Sequence, residues 1–442
     1  MVKLLHFSDA HIDIAAQGKR DPQTGLSIRV LDFLKALDTI VDTAINERVD
    51  LVIFSGDAYK DRTPVPTFQR EWGKRIIRLS QAGIPTILLV GNHDVSPAVG
   101  RATAMHEFDT LSVPNVHVVG KPHLFTPEQL NNLPIQVIAL PWIVRSGFLT
   151  SKQDETIDMK DIDTRIEEVI SQIINNLINE LDPELPTILT AHASVQGAVF
   201  GGERTIMLGN DMVLPISLVK RQELDYVALG HIHKAQNLNE DSHPPIVYSG
   251  SIERVDFGEV HDEKYFVIAE IEKGKTIVSW RQLEGRPFVD TNIDLRSNDR
   301  PSEINPKNEE TMPGPQDIKN YLIEHLPDLM EVENAITRLT LVYPKGWENL
   351  IDDEWILTYY QSALDTHINR KPVATSRLRL GDDETIANFT PEELLEQYWL
   401  SNHLSKDEID ALQIIAKEII RRRSIFERPT FGYNHIIEEN IE

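Results

Sequence analysis

Over the first 275 residues, short runs of consecutive apolar positions alternate with longer stretches in which apolar positions recur every three or four residues. Residues 3–9 (KLLHFSD) and 50–57 (DLVIFSGD) are apolar runs closed by polar clusters, the pattern of strands buried on both faces. Between them Val30, Leu31, Leu34, Leu37, Ile40, Val41, Ala44 and Ile45 keep helical spacing, which predicts a helix over about 28–47. IPTILLVGNHD, IQVIALP, LPTILTAH, DYVALGHIH and PPIVYSGS continue the strand series, and YFVIAEI with TIVSW closes it. Strand and helix alternating in this way predict an α/β fold in which sheet is layered with helices. Nearly every predicted strand ends in a polar cluster: SDAH, SGD, GNHD, AH, GHIH. Active sites of open α/β sheets gather at the carboxyl ends of strands, so these clusters are expected to converge.

The pattern changes after about residue 296. Residues 297–317 are polar and rich in Pro, Asn and Glu, and read as a linker. A smaller unit follows, with a helix near 318–325, a strand over 336–343, a helix near 352–367 and a strand near 373–380. Two helix starts come last: Thr390-Pro391-Glu392-Glu393 offers an N-cap, a first-turn proline and a capping-box glutamate, and Ser405 with Glu408 offers a second box. The second helix places Ile409, Leu412, Ile415 and Ile419 on one face and ends in Arg421-Arg422-Arg423, cations that complement a helix C-terminus. The division read from these shifts is 1–275, 276–385 and 386–442.

Composition narrows the chemistry. The chain has 442 residues with 44 basic and 69 acidic side chains, so its formal charge is 44 − 69 = −25, and it has no cysteine. Disulfides, thiolate zinc sites, iron–sulfur clusters and a cysteine nucleophile are thereby excluded, and any metal must sit on imidazole, carboxylate or amide ligands. No apolar stretch approaches the length of a membrane span, and the first residues lack a signal-peptide pattern, so a cytoplasmic protein is expected. The acidic balance opposes a protein that coats nucleic acid by electrostatics alone. Locally, Lys60, Arg62, Arg70, Lys74, Arg75 and Arg78 face only Asp61 and Glu71, a balance of 6 − 2 = +4 that reads equally as a phosphate-contacting strip or as a solvated helix face. There is no G-x-x-x-x-G-K-[ST] loop, so this chain has no ATP site of that kind.

Five strand-end clusters carry the candidate chemistry: Asp9-x-His11, Gly56-Asp57, Gly91-Asn92-His93-Asp94, His192, and Gly230-His231-x-His233. Together they supply a mixed nitrogen and oxygen donor set suited to first-row divalent metals. Seven ligands, Asp9, His11, Asp57, Asn92, His192, His231 and His233, serve two ions if Asp57 bridges them. The glycines permit tight turns that aim the following side chain inward. The other histidines, His6 among them, read as packing or surface residues.

The order and spacing of these clusters resemble the five motifs of the calcineurin-like metallophosphoesterases. DYVALGHIHKAQ (225–236) and PIVYSGSIERVDFGE (245–259), followed by Lys264, narrow the resemblance to the SbcD-type nuclease subunits within that superfamily. The resemblance implies a four-layered α-β-β-α sandwich with a smaller α+β capping domain over 276–385 and a C-terminal helical segment. It implies Asp9, His11, Asp57 and His233 on one metal and Asp57, Asn92, His192 and His231 on the other, with manganese as activator. His93 would contact the phosphate and protonate the leaving oxygen, and Asp94 would hold its imidazole in the right tautomer. Also implied are 3′ to 5′ exonuclease and single-strand or hairpin endonuclease activity on DNA, and a homodimer within a complex with an SbcC-type ATPase. Leu394, Leu395, Tyr398, Trp399, Ile409, Leu412, Ile415 and Ile419 would then form the face that docks on the ATPase.

Two positions depart from the family pattern. Lys60 stands where many relatives have an acid or a histidine, which leaves the balance of exonuclease and endonuclease action open. Asp13 replaces a common small residue and reads as a solvated loop acid. Two other functions remain open at this point: a phosphodiesterase of small molecules such as cyclic nucleotides, and a non-catalytic structural subunit of the ATPase complex.

Overall fold

The computed structural model describes residues 1–14, 18–95, 102–143, 159–201, 213–296, 313–373 and 406–426, together with 390, 395, 396, 398 and 399; side chains at 159–163, 407 and 418–426 lie outside that description. The chain opens with β1 (Val2–Phe7), α1 (Ile28–Asn46), β2 (Leu51–Phe54), α2 (Pro66–Gln81), β3 (Thr86–Leu89), the single turn α3 (Glu107–Thr110) and β4 (Val116–Val119). It continues through β5 (His123–Phe125), β6 (Gln136–Leu140), α4 (Met159–Asn179), β7 (Thr187–His192) and the two-residue strands β8 (Ser194–Val195) and β9 (Val213–Leu214). Then come β10 (Tyr226–Gly230), β11 (Gln236–Asn237), β12 (Ile246–Tyr248), β13 (Lys264–Glu272) and β14 (Lys275–Leu283). These strands build two six-stranded sheets, ordered β14-β13-β1-β2-β3-β4 and β11-β12-β10-β7-β6-β5. Strands β1 to β4 are mutually parallel, as are β12, β10, β7 and β6, so their carboxyl ends share one edge of each sheet.

Side chains alternate faces along a strand, and here both faces are apolar. Leu5, Phe7, Val52, Phe54 and Leu88 turn outward onto the core shared with α1 and α2. Their neighbours Leu4, Leu51, Ile53, Ile87 and Leu89 turn inward, where they meet Val137, Ala139, Ile188, Tyr226 and Ala228 of the second sheet. The far face of that sheet, with Ile138, Leu140, Leu189, Val227 and Leu229, packs on Ile166, Ile170 and Ile174 of α4. The result is helix, sheet, sheet, helix, the four-layered sandwich that the sequence implies.

The seam between the sheets is apolar except toward the carboxyl ends of β1 and β2. There His6 Nδ1 lies 3.1 Å from the Tyr226 hydroxyl, the Ser8 and Ser249 hydroxyls are 2.9 Å apart, and those of Ser55 and Thr190 are 3.0 Å apart. Each pair joins one sheet to the other, and buried polar groups left unpaired would be costly.

The chain divides into two compact units, one of Met1–Asn292, Ile323–Thr340 and Asp353–Asn369, the other of Ile293–Leu322, Leu341–Asp352 and Arg370–Glu442. In the first unit Arg286 makes paired bonds to Asp32 at 2.6 and 2.7 Å, and Arg29, also bonded to Asp32 at 2.8 Å, lies over the Phe288 ring. In the second, the Arg370 guanidinium donates to the carbonyls of Glu348 and Ile351, and Gln413 donates to Glu396.

Several expected elements after residue 296 differ. The polar stretch gives way to a helix at Pro315–His325, because Pro315 suits a first helical turn; residues 297–312 lie outside the described residues. The helix expected to reach residue 367 spans only Asp353–Tyr359. Residues 365–373 instead form β17 (Asp365–Val373), third in a sheet with β15 (Phe288–Asp294) and β16 (Ile336–Pro344). Thr366 and Ile368 alternate with more exposed neighbours, and such β-branched residues at a two-residue period favour a strand. The strand expected near 373–380 lies, beyond Val373, outside the described residues. Near the C-terminus residues 395, 396, 398 and 399 are helical and a helix spans Lys406–Phe426; the cap residues Pro391 to Glu393 and Ser405 lie outside the described residues.

Burial lowers the pKa of His6 to about 3, so the folded protein holds it neutral. Its unfolded value is near 6.5, so the stability gained from a neutral imidazole is complete above that pH and falls toward pH 3 by about 1.4 kcal/mol per unit. A His6→Leu variant is expected to show a shallower fall of Tm than the parent between pH 6.5 and 4, measured by calorimetry.

Candidate metal centre

The five clusters meet at the carboxyl ends of the two facing sheets. Asp9 and His11 follow β1, Asp57 follows β2, Asn92 follows β3, His192 ends β7, and His231 and His233 follow β10. One sheet therefore presents two carboxylates, an amide and an imidazole, and the other presents three imidazoles.

Holding these side chains inward requires unusual backbone. Asp9, His11, Asp57 and His231 all have positive φ, at 51°, 37°, 64° and 95°. Such conformations cost L-residues about 1–3 kcal/mol each and persist where the surroundings over-determine them. Here the Asp9 amide donates to the Gly56 carbonyl at 2.9 Å, the His11 amide to the Asp57 carbonyl at 3.2 Å, and the His231 amide to the Asp9 carboxylate at 3.1 Å. Gly56 has φ 102°, and a Cβ there would run into the His192 ring; a Cβ on Gly91 would strike the Asp57 carboxylate. The glycine at 91 serves close approach rather than a left-handed turn.

The donor atoms crowd together. His192 Nε2 lies 2.8 Å from Asn92 Oδ1 and 3.3 Å from Asp57 Oδ2, and His231 Nδ1 lies 3.0 Å from the same Asn92 oxygen. His11 Nε2 is 3.2 Å from His233 Nε2 and 3.8 Å from Asp57 Oδ2. Donors about 3 Å apart are spaced as neighbours around an ion with bonds of about 2.1 Å. Asp9, His11 and His233 form one group with ligand atoms within 4.8 Å of one another, and Asp9, Asp57 and His192 form another. The expectation made Asp57 the sole bridge, whereas this geometry puts Asp9 within reach of both groups.

The outer nitrogens of three imidazoles are fixed by oxygen. His192 Nδ1 donates to the Ser55 carbonyl at 2.7 Å and His11 Nδ1 to the Tyr59 carbonyl at 3.3 Å. His233 Nδ1 donates to Glu259 Oε1 at 2.7 Å, and Glu259 Oε2 accepts from Lys264 Nζ at 2.7 Å. This tautomer leaves each Nε2 facing the cradle, as metal-binding histidines need. Glu259 and Lys264, both buried, support the His233 imidazole and were not singled out by spacing; the stretch 245–259 followed by Lys264 was the available signal. Trp142 was also missed. It follows β6, and its ring lies 5.1 Å from that of His231 and 6.1 Å from that of His192.

Charge is unevenly spread over this set. Burial pushes Asp9 up, and His192 and His233 only partly offset it. Burial would raise Asp57 too, yet the charge and hydrogen bond of His192, with His11, hold it well below the usual carboxylate range. His192 is the counterpart: burial pulls it down, but Asp57 and Asp9 hold it up at about 9. Without metal, a proton on His192 balances the carboxylates. A divalent ion can replace that proton, so the donors, their tautomers and their charge fit such an ion.

His93 sits beside this set, its ring 5.2 Å from that of His11. Its amide donates to Asp57 Oδ1 at 2.8 Å, its Nδ1 to the Lys60 carbonyl at 3.0 Å, and its Nε2 lies 3.4 Å from Lys60 Nζ. Asp94 does not hold this imidazole, contrary to expectation. Its Oδ2 accepts from the Asp57 and Gly91 amides at 2.8 and 2.9 Å and its Oδ1 from Ala58 at 3.0 Å, so the carboxylate braces the loop that carries Asp57. Three backbone donors in reach outcompete one imidazole.

Asp13 is not a solvated acid either. It is 9% exposed, accepts from the Asp61 amide at 3.0 Å and also accepts from the Lys60 amide. The basic strip is likewise not free. Arg75 pairs with Asp38 at 2.7 Å and Glu71 at 3.2 Å, Arg78 with Asp38 at 3.0 Å and with Asp42, and Arg70 and Lys74 each with Glu71 at 2.9 Å. The local count of +4 omitted the acids that α1 brings alongside.

Parallel strands thus deliver carboxylate, amide and imidazole donors, of the kind that hold divalent metals, to one rim between two sheets. Residues 2–235 match the family model of the calcineurin-like phosphoesterases, and the chain belongs to that family. It is 26% identical over 282 residues to the SbcD subunit of the SbcCD nuclease of Escherichia coli strain K12, covering 62% of this chain and 66% of that protein, and equally to the protein of the same name in E. coli O157:H7. The matched region thus spans slightly under two thirds of those relatives. Solved structures that it resembles include a dimetal phosphatase from Danio rerio (TM-score 0.37, 11% identity, 64% of this chain and 96% of that one) and a protein of Thermus thermophilus (TM-score 0.37, 14% identity, 63% and 98%).

Two outcomes test the centre. Glu259→Gln is expected to weaken Mn2+ binding about 10- to 100-fold, read by competition with a chelating dye on the folded protein. Binding of metal at pH 7 is expected to release about one proton from His192, seen as a dependence of calorimetric heat on the ionisation enthalpy of the buffer.

Proposed function

We propose that the chain is a divalent-metal-dependent DNA phosphodiesterase, the nuclease subunit of an SbcC–SbcD type complex. The observation that carries the phosphodiester chemistry is the convergence of Asp9, His11, Asp57, Asn92, His192, His231 and His233 from two sheets, with His93 beside them and free of a ligand role. DNA as substrate rests on the similarity to proteins named as nuclease subunits.

In this reading Asp9, His11, Asp57 and His233 hold one ion and Asp57, Asn92, His192 and His231 the other, with Mn2+ as the activator. The bound ions would polarise the phosphate and lower the pKa of an attacking water. His93 is half-buried at the edge of the cradle and oriented through the Lys60 carbonyl; burial lowers its pKa, so its Nε2 would take up a proton before giving it to the departing oxygen. Asp94 acts one step back, by holding the Asp57 loop.

The rest of the assignment is part of the same proposal: a cytoplasmic homodimer within a complex with the ATPase, acting on duplex ends 3′ to 5′ and on hairpins, with a cap and a partner-docking C-terminal segment. No helix among the described residues is long and apolar enough to cross a membrane. On the proposed docking face Tyr398 and Ile415 are exposed at 51% and 55%, Leu395, Trp399 and Leu412 are half-buried, and Ile409 is buried. Leu394 and the Ile419 side chain lie outside the described residues.

The test is cleavage of end-labelled duplex and hairpin DNA by the purified chain with Mn2+, with and without the ATPase. Cleavage that falls about 100-fold or more in His93→Leu at unchanged metal content is the expected result. Turnover of small esters but not DNA would assign a small-molecule phosphodiesterase instead, and full metal loading without turnover a structural subunit.

A further inference from the structure

A cavity of about 710 Å3 opens beside His93, walled by Lys60, Arg62, Val65 and Phe68. That volume exceeds what one nucleoside needs and lies in the usual range for small-ligand sites. Its lining combines an apolar wall, two cations, and the acids Asp13 and Asp61, whose carboxylates are taken up by the Lys60, Asp61 and Thr63 amides. Phe68 and Val65 give an apolar wall, Phe68 packed against the core and Val65 53% exposed. Lys60 and Arg62 are cations without a carboxylate partner among the described residues, unlike Arg70, Lys74, Arg75 and Arg78 on the helix that follows. An aromatic wall beside cations suits a base next to phosphate.

The loop that makes this cavity is fixed in advance. Asp13, nearly inaccessible, accepts the amides of both Lys60 and Asp61, so the loop is clamped where the Lys60 carbonyl meets His93 Nδ1 and its ammonium meets His93 Nε2. Asp61 in turn accepts from the Thr63 amide at 2.9 Å, which sets the turn leading to Val65 and Phe68. One buried acid thus positions both the imidazole and the cavity wall.

We propose that this cavity is the binding site for the leaving nucleoside of the substrate, with its base against Phe68 and its flanking phosphate on Lys60 and Arg62. The direction follows from His93: the oxygen it protonates belongs to the leaving group, and His93 lines this cavity. The proposal rests on the phosphodiesterase reading above and adds to it which part of the substrate is recognised on this side of the metals.

The test uses thymidine dinucleotides that carry a terminal phosphate at both the 5′ and the 3′ end, so that a phosphate flanks the leaving nucleoside on either side, and in which one or the other sugar lacks its base, with the Mn2+-loaded full-length chain. Wild type is expected to cleave the intact dinucleotide with kcat/KM at least fivefold above one of the two abasic isomers. Phe68→Ala is expected to bring that ratio to within twofold, and Arg62→Ala, at an exposed position, to raise KM for the intact dinucleotide severalfold with less effect on kcat. A wild-type ratio near one for both isomers, or a ratio unchanged in Phe68→Ala, would overturn the proposal while leaving the phosphodiesterase reading intact. If wild type turns over no dinucleotide, the phosphodiesterase reading is still decided by the duplex and hairpin assay. Equilibrium binding of thymidine 3′- and 5′-monophosphate to the Mn2+-loaded protein then decides the cavity: at least fivefold weaker binding of one isomer by Phe68→Ala supports it, and equal binding of both overturns it.

Discussion

Two buried carboxylates, Asp9 and Asp57, share one small space at the rim of two sheets, and much of the surrounding structure keeps them there. Like charges in a medium of low dielectric repel strongly and disfavour ionisation. His192 counters this by direct contact with Asp57 and His231 by giving its amide to Asp9, while Asp94 fixes the Asp57 loop through its backbone amides. The positive φ angles at four of these positions are the mechanical side of the same constraint. An apolar core alone would not select such backbone; a site that must gather charge does.

The core fold was legible because its strands are buried on both faces, which writes them as short unbroken apolar runs. The seven donors were legible for a related reason: each follows such a run, so a linear pattern already placed them at one edge. What the sequence hid were contacts made across large separations. Asp94 sits next to His93 in the chain, so adjacency argued for partnership, yet its carboxylate serves amides about 35 residues away. Asp13 looked like a loop acid because the loop it clamps begins 47 residues later. The break at residue 365 was missed because no proline or glycine interrupts residues 353–367, and only pairing with a neighbouring strand reveals it.

Charge gives the same lesson in electrostatic form. A window of sequence counts the cations of α2 but not the acids of α1 packed beside them, and the pairs Arg75 with Asp38 and Arg78 with Asp38 and Asp42 consume most of the apparent excess. Exposed pairs of this kind contribute little to stability. They do remove the attraction that a free strip would exert on a polyanion. What remains beside His93 is a pair of cations, Lys60 and Arg62, that have no carboxylate partner among the described residues.

The two sheets contribute unequal shares of one donor set, and the hydroxyl pairs Ser8 with Ser249 and Ser55 with Thr190 lie just beneath it. The spacing between the sheets therefore sets the width of the cradle, much as the jaws of a caliper set its gap. Below the hydroxyl pairs the seam is filled by aliphatic side chains whose volumes fix how far the jaws close. A methyl group added or removed at Ile53 or Val137 touches no donor, yet it acts on the distance between donors of opposite sheets. In this architecture the interior packing and the geometry of the reaction centre are one quantity read at two ends.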